Sequence, residues 1–177
     1  MGGKTLSRFV DRLLRAARLD SSLFEEVEAD EDSLGQAMAA VLLFGLAGGV
    51  GTLSLAGLRG LFAGVVLALA GWFLWANLVY WIGTRLLPER ETDADLGQLL
   101  RTIGFSSAPG IVIALGVIPP IRFFVFGAGL LWMLAAMVVA VRQALDYSST
   151  RRALEVCLIG WLVLPLLLSV PFIILGR

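Results

Sequence analysis

The chain has 177 residues, of which 58% are hydrophobic and 16% are charged, and its mean hydropathy is +0.87. Soluble domains carry about 25% charged residues, so this composition excludes an ordinary soluble protein and predicts an integral membrane protein. The 14 basic and 14 acidic residues cancel, histidine is absent, and Cys157 is the one cysteine. Intrachain disulfides and metal sites built on histidine or thiolate clusters are therefore excluded. We expect neither a cofactor nor a nucleic-acid partner.

The first segment, residues 4–19, repeats its apolar side chains with a helical period, from Leu6 to Ala17. The basic residues lie mostly off this apolar stripe: Lys4, Arg8, Arg12, Arg15 and Arg18. The pattern predicts a basic amphipathic helix on the membrane surface, where anionic headgroups attract each basic residue by about 1 kcal/mol. Packing of this helix on the protein's own loops is the alternative, and both can hold together.

The acidic stretch 20–33 follows, and either Ser21 or Ser22 is a candidate N-cap for a short helix within it. We interpret its carboxylates as a solvated linker, with cation binding or pairing with the basic helix as alternatives. Residues 1–33 are therefore predicted to be a cytoplasmic region, and residues 34–177 a transmembrane domain.

Five apolar segments come next, at residues 34–57, 61–82, 99–118, 123–141 and 153–175. A transmembrane helix needs about 20 residues. The third segment reaches that length only if it includes RTIGFSSAPG, residues 101–110. The predicted fold is an all-α polytopic bundle of five transmembrane helices, preceded by the amphipathic helix.

The distribution of Lys and Arg predicts the orientation. Five precede the first span, and three lie in each of the connections between spans two and three and spans four and five. Arg59, Arg122 and Arg177 are left for the other side. Because basic residues accumulate on the cytoplasmic side, we expect the N-terminus inside and the C-terminus outside.

The third segment predicts a broken span. Pro109 has no N–H, so the carbonyl of Phe105 loses its helical donor, and Ser106 and Ser107 are placed to compensate. We expect Gly104 and Gly110 to allow a bend, and Arg101 to snorkel to the inner interface. Irregular backbone at membrane depth must be covered by protein or water. The segment is therefore predicted to be a buried, kinked helix, either as a structural kink or beside a functional cavity.

Small residues occur at GxxxG spacing in the first two spans, as the pairs Gly45/Gly49 and Gly60/Gly64. Such pairs let transmembrane helices approach closely. Packing within one chain and a dimer interface are both open.

The polar stretch 141–153 carries a candidate cytoplasmic cluster: Arg142, Asp146, Arg151 and Arg152. Arg142 and Asp146 stand four residues apart and are placed to pair. Arg151 and Arg152 fall in the first turn of the fifth helix, where cations oppose the helix dipole. We therefore expect anionic headgroups or the acids at 25–32 to hold them.

Three stretches together resemble the Yip1-domain family in its short prokaryotic form: LDSSLFEEVEAD before the first span, the L-R-x-x-G-F-x-x-A-P-G pattern at 100–110, and VRQALDYSSTRRA at 141–153. The resemblance implies a polytopic protein of a prokaryotic cytoplasmic membrane, without catalytic residues. Eukaryotic members are associated with membrane trafficking or shaping. Their Asp-Leu-Tyr-Gly-Pro-like motif is absent here, so Rab-linked roles are not carried over.

The preferred functional hypothesis is a non-enzymatic membrane protein that organises the membrane or recruits a cytoplasmic partner. One alternative is a transporter or scramblase that moves a lipid or small amphipathic molecule through a cavity near the third span. Another is an accessory subunit of a membrane complex. The expected partners are anionic lipids, with a homo-oligomer and a cytoplasmic or membrane protein partner left open.

Overall fold

The computed structural model describes residues 2–90 and 92–175, with side chains for 5–90 and 92–163. All regular structure in these residues is helical, so the all-α prediction is confirmed for them. The α-helices are α1 Gly2–Ala17, α2 Ser21–Ala29, α3 Leu34–Gly51, α4 Leu53–Trp81, α5 Leu96–Ser106, α6 Arg122–Ala144 and α7 Thr150–Leu175. The segments Glu31–Ser33, Ala108–Val117 and Pro119–Ile121 are 3-10 helices, and Ile82–Leu86 is a π-helical turn.

Four stretches of the described residues are long and apolar enough to cross a membrane: Glu31–Gly51, Leu53–Leu86, Leu96–Val117 and Pro119–Ala144. They confirm an integral membrane protein. Helix α7 has 26 residues, but its side chains beyond Val163 lie outside the described part, so the fifth span stays a prediction. The end of the bundle that carries α1, α2 and the connections at 87–95 and 145–149 is called the polar end below.

The acidic stretch forms a helix, α2, rather than a solvated linker. Asp20, not Ser21 or Ser22, is its N-cap, because the Asp20 carboxylate accepts a hydrogen bond from the Ser22 N–H at 3.0 Å. Leu23, Phe24 and Val27 of α2 are fully buried. Apolar burial therefore turns this acidic segment into part of the core.

The turn between the first two spans begins earlier than predicted. Helix α3 ends at Gly51, and Thr52 closes it by donating its hydroxyl hydrogen to the Gly48 carbonyl at 3.0 Å. A second break follows at Gly57, whose φ of +60° is non-helical. Only glycine adopts such a conformation at little cost. The helical stretch that contains the second span is therefore broken at this glycine.

The third span changes helix type after Ser106. A capping box between Asp95 and Gln98 starts α5, which ends at Ser106. A 3-10 helix follows over Ala108–Val117, with Pro109 in its first turn. A 3-10 helix rises about 2.0 Å per residue against 1.5 Å for an α-helix, so ten residues gain about 5 Å. All ten residues of RTIGFSSAPG are buried, as expected of a covered span.

Helices α3 and α4 approach through their glycines within one chain. A Cβ added to Gly45 would lie 2.9 Å from the Gly64 carbonyl oxygen, and one added to Gly64 would lie 2.7 Å from the Gly45 carbonyl oxygen. A Cβ on Gly49 would lie 2.6 Å from the Leu61 Cα. A Cβ on Gly60 would meet Ala56 of its own helix at 2.7 Å. Three of the four motif glycines thus serve an intrachain contact, which leaves them no room for a second copy.

Two hydrophobic clusters hold the bundle together. One joins α4, α5, α6 and α7 through residues such as Val79, Leu99 and Val141. The other includes Phe24 and Phe105, and it fixes α2 to α3, α5 and α6. The polar end is therefore packed onto the membrane-spanning helices.

Candidate functional site

Arg12 of α1 is the centre of an ion-pair network. Its guanidinium donates to Glu26 at 2.8 Å, to Asp30 at 2.6 Å and to the Gln36 side-chain oxygen at 3.0 Å. Although Arg12 was predicted to face anionic lipid, its side chain is 1% exposed. The carboxylates of α2 replace headgroups as its partners.

The other basic residues of α1 divide between this network and the surface. Arg15 contacts Asp20 at 2.9 Å and Glu26 at 2.6 Å, and Arg8 lies 3.3 Å from Glu26. Arg18 is exposed, and the side chain of Lys4 lies outside the described residues. Of the alternatives left open for the basic helix, pairing with the acidic stretch therefore holds for Arg12 and Arg15.

The ion-pair network lowers the pKa values of the acids that form it. Burial opposes ionisation of Glu26, but hydrogen bonds from Arg15, Arg12 and Arg8 outweigh it and lower the Glu26 pKa to about 2. Hydrogen bonds from Arg15 and Arg12 also lower the pKa values of Asp20 and Asp30, respectively. The pairs that hold α1 to α2 are therefore ionised at neutral pH.

The apolar stripe of α1 is split between two environments. Phe9 and Leu13 pack against the cluster that contains Phe105. Leu6, Val10 and Leu14 are 63%, 46% and 52% exposed. They stand at i, i+4 and i+8, so they share one face of the helix. Helix α1 therefore presents an exposed apolar face while its opposite side is bonded to the protein.

A tryptophan of a membrane span fixes the end of α1. The indole N–H of Trp132, in α6, donates to the Ala17 carbonyl oxygen at 2.8 Å. The same cluster that receives Phe9 and Leu13 contains Ala108 of the third span. Helix α1 thus lies along the flank of the spans, next to residues at membrane depth.

Arg101 does not snorkel to the interface. It is 8% exposed, and its guanidinium donates to the carbonyl oxygens of Val27, at 3.1 Å, and Glu28. These carbonyls belong to the last turn of α2, where a cation is favoured by the helix dipole. The arginine therefore docks α2 onto α5.

A polar cleft at the polar end is lined by Glu28 and four neighbours: Glu25, Arg142, Gln143 and Asp146, with Tyr147 and Ser148 at its edge. Burial, then the charge of Asp146, raises the pKa of Glu28, against the opposing charge of Arg101, to about 7. Gln143 donates to Glu25 at 2.6 Å. The cleft therefore contains a carboxyl group that titrates near neutral pH.

The arginines of the 141–153 stretch contact their own neighbourhood. Arg142 donates to the Tyr147 carbonyl and the Thr150 hydroxyl, both at 3.3 Å. Arg151 contacts Glu155 at 3.0 Å, and Arg152 lies 4.0 Å from Glu89 and 3.9 Å from Glu155. Glu155 and Glu89, rather than the acids at 25–32, are the carboxylates that contact Arg151 and Arg152, and contact of these arginines with headgroups stays a prediction. The pairing of Arg142 with Asp146 stays a prediction.

A cavity of about 370 Å³ lies beside RTIGFSSAPG, residues 101–110 of the third span. Its walls come from α3, α4, α5 and its C-terminal turn, α6 and α7: Val41, Phe44, Leu67, Ala68, Gly71, Trp72, Trp75, Ile103, Ser106, Ser107, Met133, Met137 and Trp161. The cavity is open to the surface of the bundle. Of the six kink residues predicted from the sequence, Ser106 and Ser107 line it.

The two serines satisfy the backbone at the break, although not at the predicted carbonyl. Ser106 donates its hydroxyl hydrogen to Ile103, and Ser107 donates to Gly104, both at 2.7 Å. Gly104 and Gly110 allow close approach of neighbouring helices: a Cβ on Gly104 would lie 2.7 Å from the Ala37 Cβ, and one on Gly110 would clash with the Met133 sulfur. The glycines therefore bring neighbouring helices together around the cavity.

Two features of the site were not predicted from the sequence. Trp72 donates its indole N–H to the Leu100 carbonyl at 2.9 Å and fixes one wall of the cavity. The buried indole N–H of Trp75 has no hydrogen-bond partner among the described residues. The aromatic clustering of the second span is the sequence signal for this cavity wall.

The described residues contain no group of three or more acidic or cysteine side chains placed to hold a metal ion.

Comparison with protein-family models matches the Yip1 domain to residues 20–174. No curated protein matches the chain, and no solved structure does. The matched range covers α2 to α7 and includes both the ion-pair acids of α2 and the cavity. The chain, a helical membrane protein with at least four candidate spans among its described residues, therefore belongs to the Yip1 domain family.

Proposed function

We propose that the protein is a non-enzymatic membrane protein that organises one leaflet of the bilayer, with α1 as an interfacial helix and the polar end in the cytoplasm. The observation that carries this proposal is the exposed apolar face of α1, formed by Leu6, Val10 and Leu14. Water is an unfavourable environment for this face, and the bilayer is the apolar phase next to it.

The energetics favour membrane contact. Burial of a fully exposed leucine or valine side chain stabilises by about 1.5–3 kcal/mol, so three half-exposed side chains gain about 3 kcal/mol together. The position of α1 supports its contact with the bilayer, because Trp132, near the middle of the candidate span Pro119–Ala144, bonds its last residue, Ala17.

The attachment is expected to be apolar rather than electrostatic. Arg12 and Arg15 are engaged by Glu26 and other carboxylates of the same chain. Arg8, which is 57% exposed, and Arg18, just after the helix, are basic side chains that remain at the surface, and the 66% exposed Asp11 of α1 offsets part of their charge. Since salt screens exposed charges but leaves apolar contacts largely unchanged, membrane contact by α1 should depend little on ionic strength.

A helix inserted at one end of the bundle widens one leaflet. Helices α1 and α2 pack at the polar end, whereas the opposite end is closed by short turns at Thr52 and at Pro119–Ile121. We expect the two extra helices to give the protein a larger cross-section in the leaflet on the polar side. This asymmetry supports a role in membrane shaping or in sorting to curved membrane.

The test is a curvature-sorting measurement on the full chain. Fluorescently labelled protein is reconstituted into vesicles of mixed diameter, and its surface density is measured against vesicle size. We expect enrichment on small vesicles, and loss of that enrichment in L6S/L14S. The matched control is L55S/L58S, which removes two leucines that are 71% and 73% exposed at the opposite end. Equal behaviour of the two pairs, or no enrichment of the parent protein, would refute the proposal.

Lipid translocation is the second candidate, and the cavity beside Ser106 and Ser107 is the observation that favours it. A lipid headgroup needs a polar path, but both hydroxyl hydrogens are donated to carbonyls of their own helix. The candidate therefore predicts slow translocation. Loss of fluorescence from labelled lipid after addition of dithionite to proteoliposomes would measure it, with protein-free vesicles as the reference.

A further inference from the structure

We propose that the intramembrane cavity binds one acyl chain of a bilayer phospholipid and holds it as a resident ligand. The cavity is walled by α3, α4, α6, α7 and the C-terminal part of α5. This inference goes beyond the role of α1 and does not rest on it, because none of the lining residues belongs to α1.

The chemistry of the wall selects hydrocarbon. Eleven of the thirteen lining residues are apolar or aromatic, and the other two are Ser106 and Ser107. A hydroxyl has one hydrogen to donate, and each serine has donated it to a backbone carbonyl at 2.7 Å. Water needs two to four polar partners to occupy a cavity, and apolar cavities stay dry. The cavity therefore accepts an alkyl chain in preference to water or a headgroup.

The membrane supplies that chain at the opening. Leu67 lines the cavity and is 70% exposed, and Trp161 lines it and is 42% exposed. Leu67 belongs to a candidate span, so its exposed surface meets lipid acyl chains. Of all molecules in the cell, bilayer chains are present at the highest concentration at this opening. The lining of an empty cavity lacks dispersion contacts, and an acyl chain that enters the cavity supplies them.

The site is formed before any ligand enters. The Trp72 ring is held by its hydrogen bond to Leu100, so one wall cannot collapse inward without losing that bond. Gly71 adds width on the same helix, because a Cβ built on it has no heavy atom within 4 Å. A volume of about 370 Å³ lies within the range of small-molecule sites.

The alternative outcome is a cavity that excludes lipid. The experiment is therefore designed to distinguish a cavity that contains an acyl chain from one that does not.

Full-length protein is reconstituted with a phosphatidylcholine that carries a diazirine in its acyl chain, and the carbene adducts are located by mass spectrometry after irradiation. Ile103, which is 3% exposed, reports on the cavity, and Phe123, which is 90% exposed, reports on bulk lipid. We expect adducts at both. Adducts at Phe123 without adducts at Ile103 would show that the cavity excludes lipid and would overturn the proposal.

A pair of glycine substitutions makes the test specific. G71L places a side chain in the cavity, whereas G127L makes the same change at another helical glycine with no heavy atom within 4 Å of its Cβ, outside the lining set. We expect G71L to lose most of the Ile103 adducts and to retain those at Phe123, and G127L to retain both. Equal adduct yields at Ile103 in the two variants would also overturn the proposal. This outcome is independent of vesicle sorting by α1.

Discussion

Arg101 of α5 donates its Nε–H to the carbonyl oxygen of Val27, 3.1 Å away and 74 residues earlier in the chain. A second bond joins the same guanidinium to the carbonyl of Glu28. The last turn of α2 is thereby capped by a residue of the third span. Arg101 therefore joins the polar end to the membrane-spanning bundle. The sequence of neither α2 nor α5 predicts this contact.

Replacement of Arg101 by lysine is expected to loosen α2. Lysine retains the charge but lacks the planar fork that reaches two carbonyls, and hydrogen bonds to charged groups contribute about 1.5–3 kcal/mol. We expect R101K to lower the unfolding temperature and to accelerate hydrogen exchange in α2. R59K, at an exposed arginine of the opposite end, should change neither. Unchanged exchange in α2 would mean that its apolar contacts suffice.

Acid should release α1 from α2. The pKa of Glu26 is lowered in the folded protein to about 2 from an ordinary 4.5, so its ion pairs stabilise fully above about pH 4.5. That contribution is lost as the pH falls from 4.5 towards 2. We expect proteolysis between α1 and α2 to increase over this window. E26Q, which removes the charge, should show the same increase at pH 7; protection equal to the parent there would contradict the role of the pairs.

Glu28 is expected to act in the opposite sense. Burial and the charge of Asp146 raise its folded pKa to about 7, with Arg101 opposing. The folded protein therefore binds this proton more tightly than the unfolded chain does, and stability falls as the pH rises from 4.5 to 7. E28Q should stabilise by about 1 kcal/mol at pH 8, after allowance for solvent screening. It should have little effect at pH 4.5.

Thermal unfolding in detergent at both pH values measures this difference. E31Q is the matched control, because Glu31 is an exposed acid in the same N-terminal region. A gain in stability at pH 8 that persists unchanged at pH 4.5 would contradict titration of Glu28 as its cause.

Two glycines of α3 should respond oppositely to alanine. A Cβ on Gly45 would lie 2.9 Å from both the Gly64 carbonyl oxygen and the Val65 Cα, whereas a Cβ on Gly48 has no heavy atom within 4 Å. We expect G45A to destabilise by about 1–3 kcal/mol through overpacking. G48A should be neutral or stabilise by about 0.5–1 kcal/mol. Thermal unfolding of both variants measures this, and equal effects would argue against a close contact of α3 with α4.

Oligomeric state gives a second measurement on the same variants. Because Gly45 faces Gly64 of its own chain, G45A should lower stability without changing the mass of the particle in nanodiscs. A shift from dimer to monomer would instead support the intermolecular interpretation of the GxxxG pairs.

The sequence by itself determined the class of the protein and the burial of RTIGFSSAPG. Apolar content and segment length are local quantities, and the hydrocarbon thickness converts them directly into spans. A span of about 20 residues corresponds to an α-helical rise. The 3-10 helix after Ser106 makes the same number of residues span a greater length. This extra length cannot be read from a count of residues. The family match over residues 20–174 likewise follows from the order of local patterns.

Only the tertiary structure decided what the charged side chains bind. Arg12 and Arg101 look like lipid-facing residues in sequence, because their spacing reports a helix face but not what covers that face. The folded chain brings Glu26 and the Val27 carbonyl to them, and groups held in place cost less entropy to bind than mobile headgroups. The cavity arises in the same way, because its wall is assembled from five helices far apart in sequence.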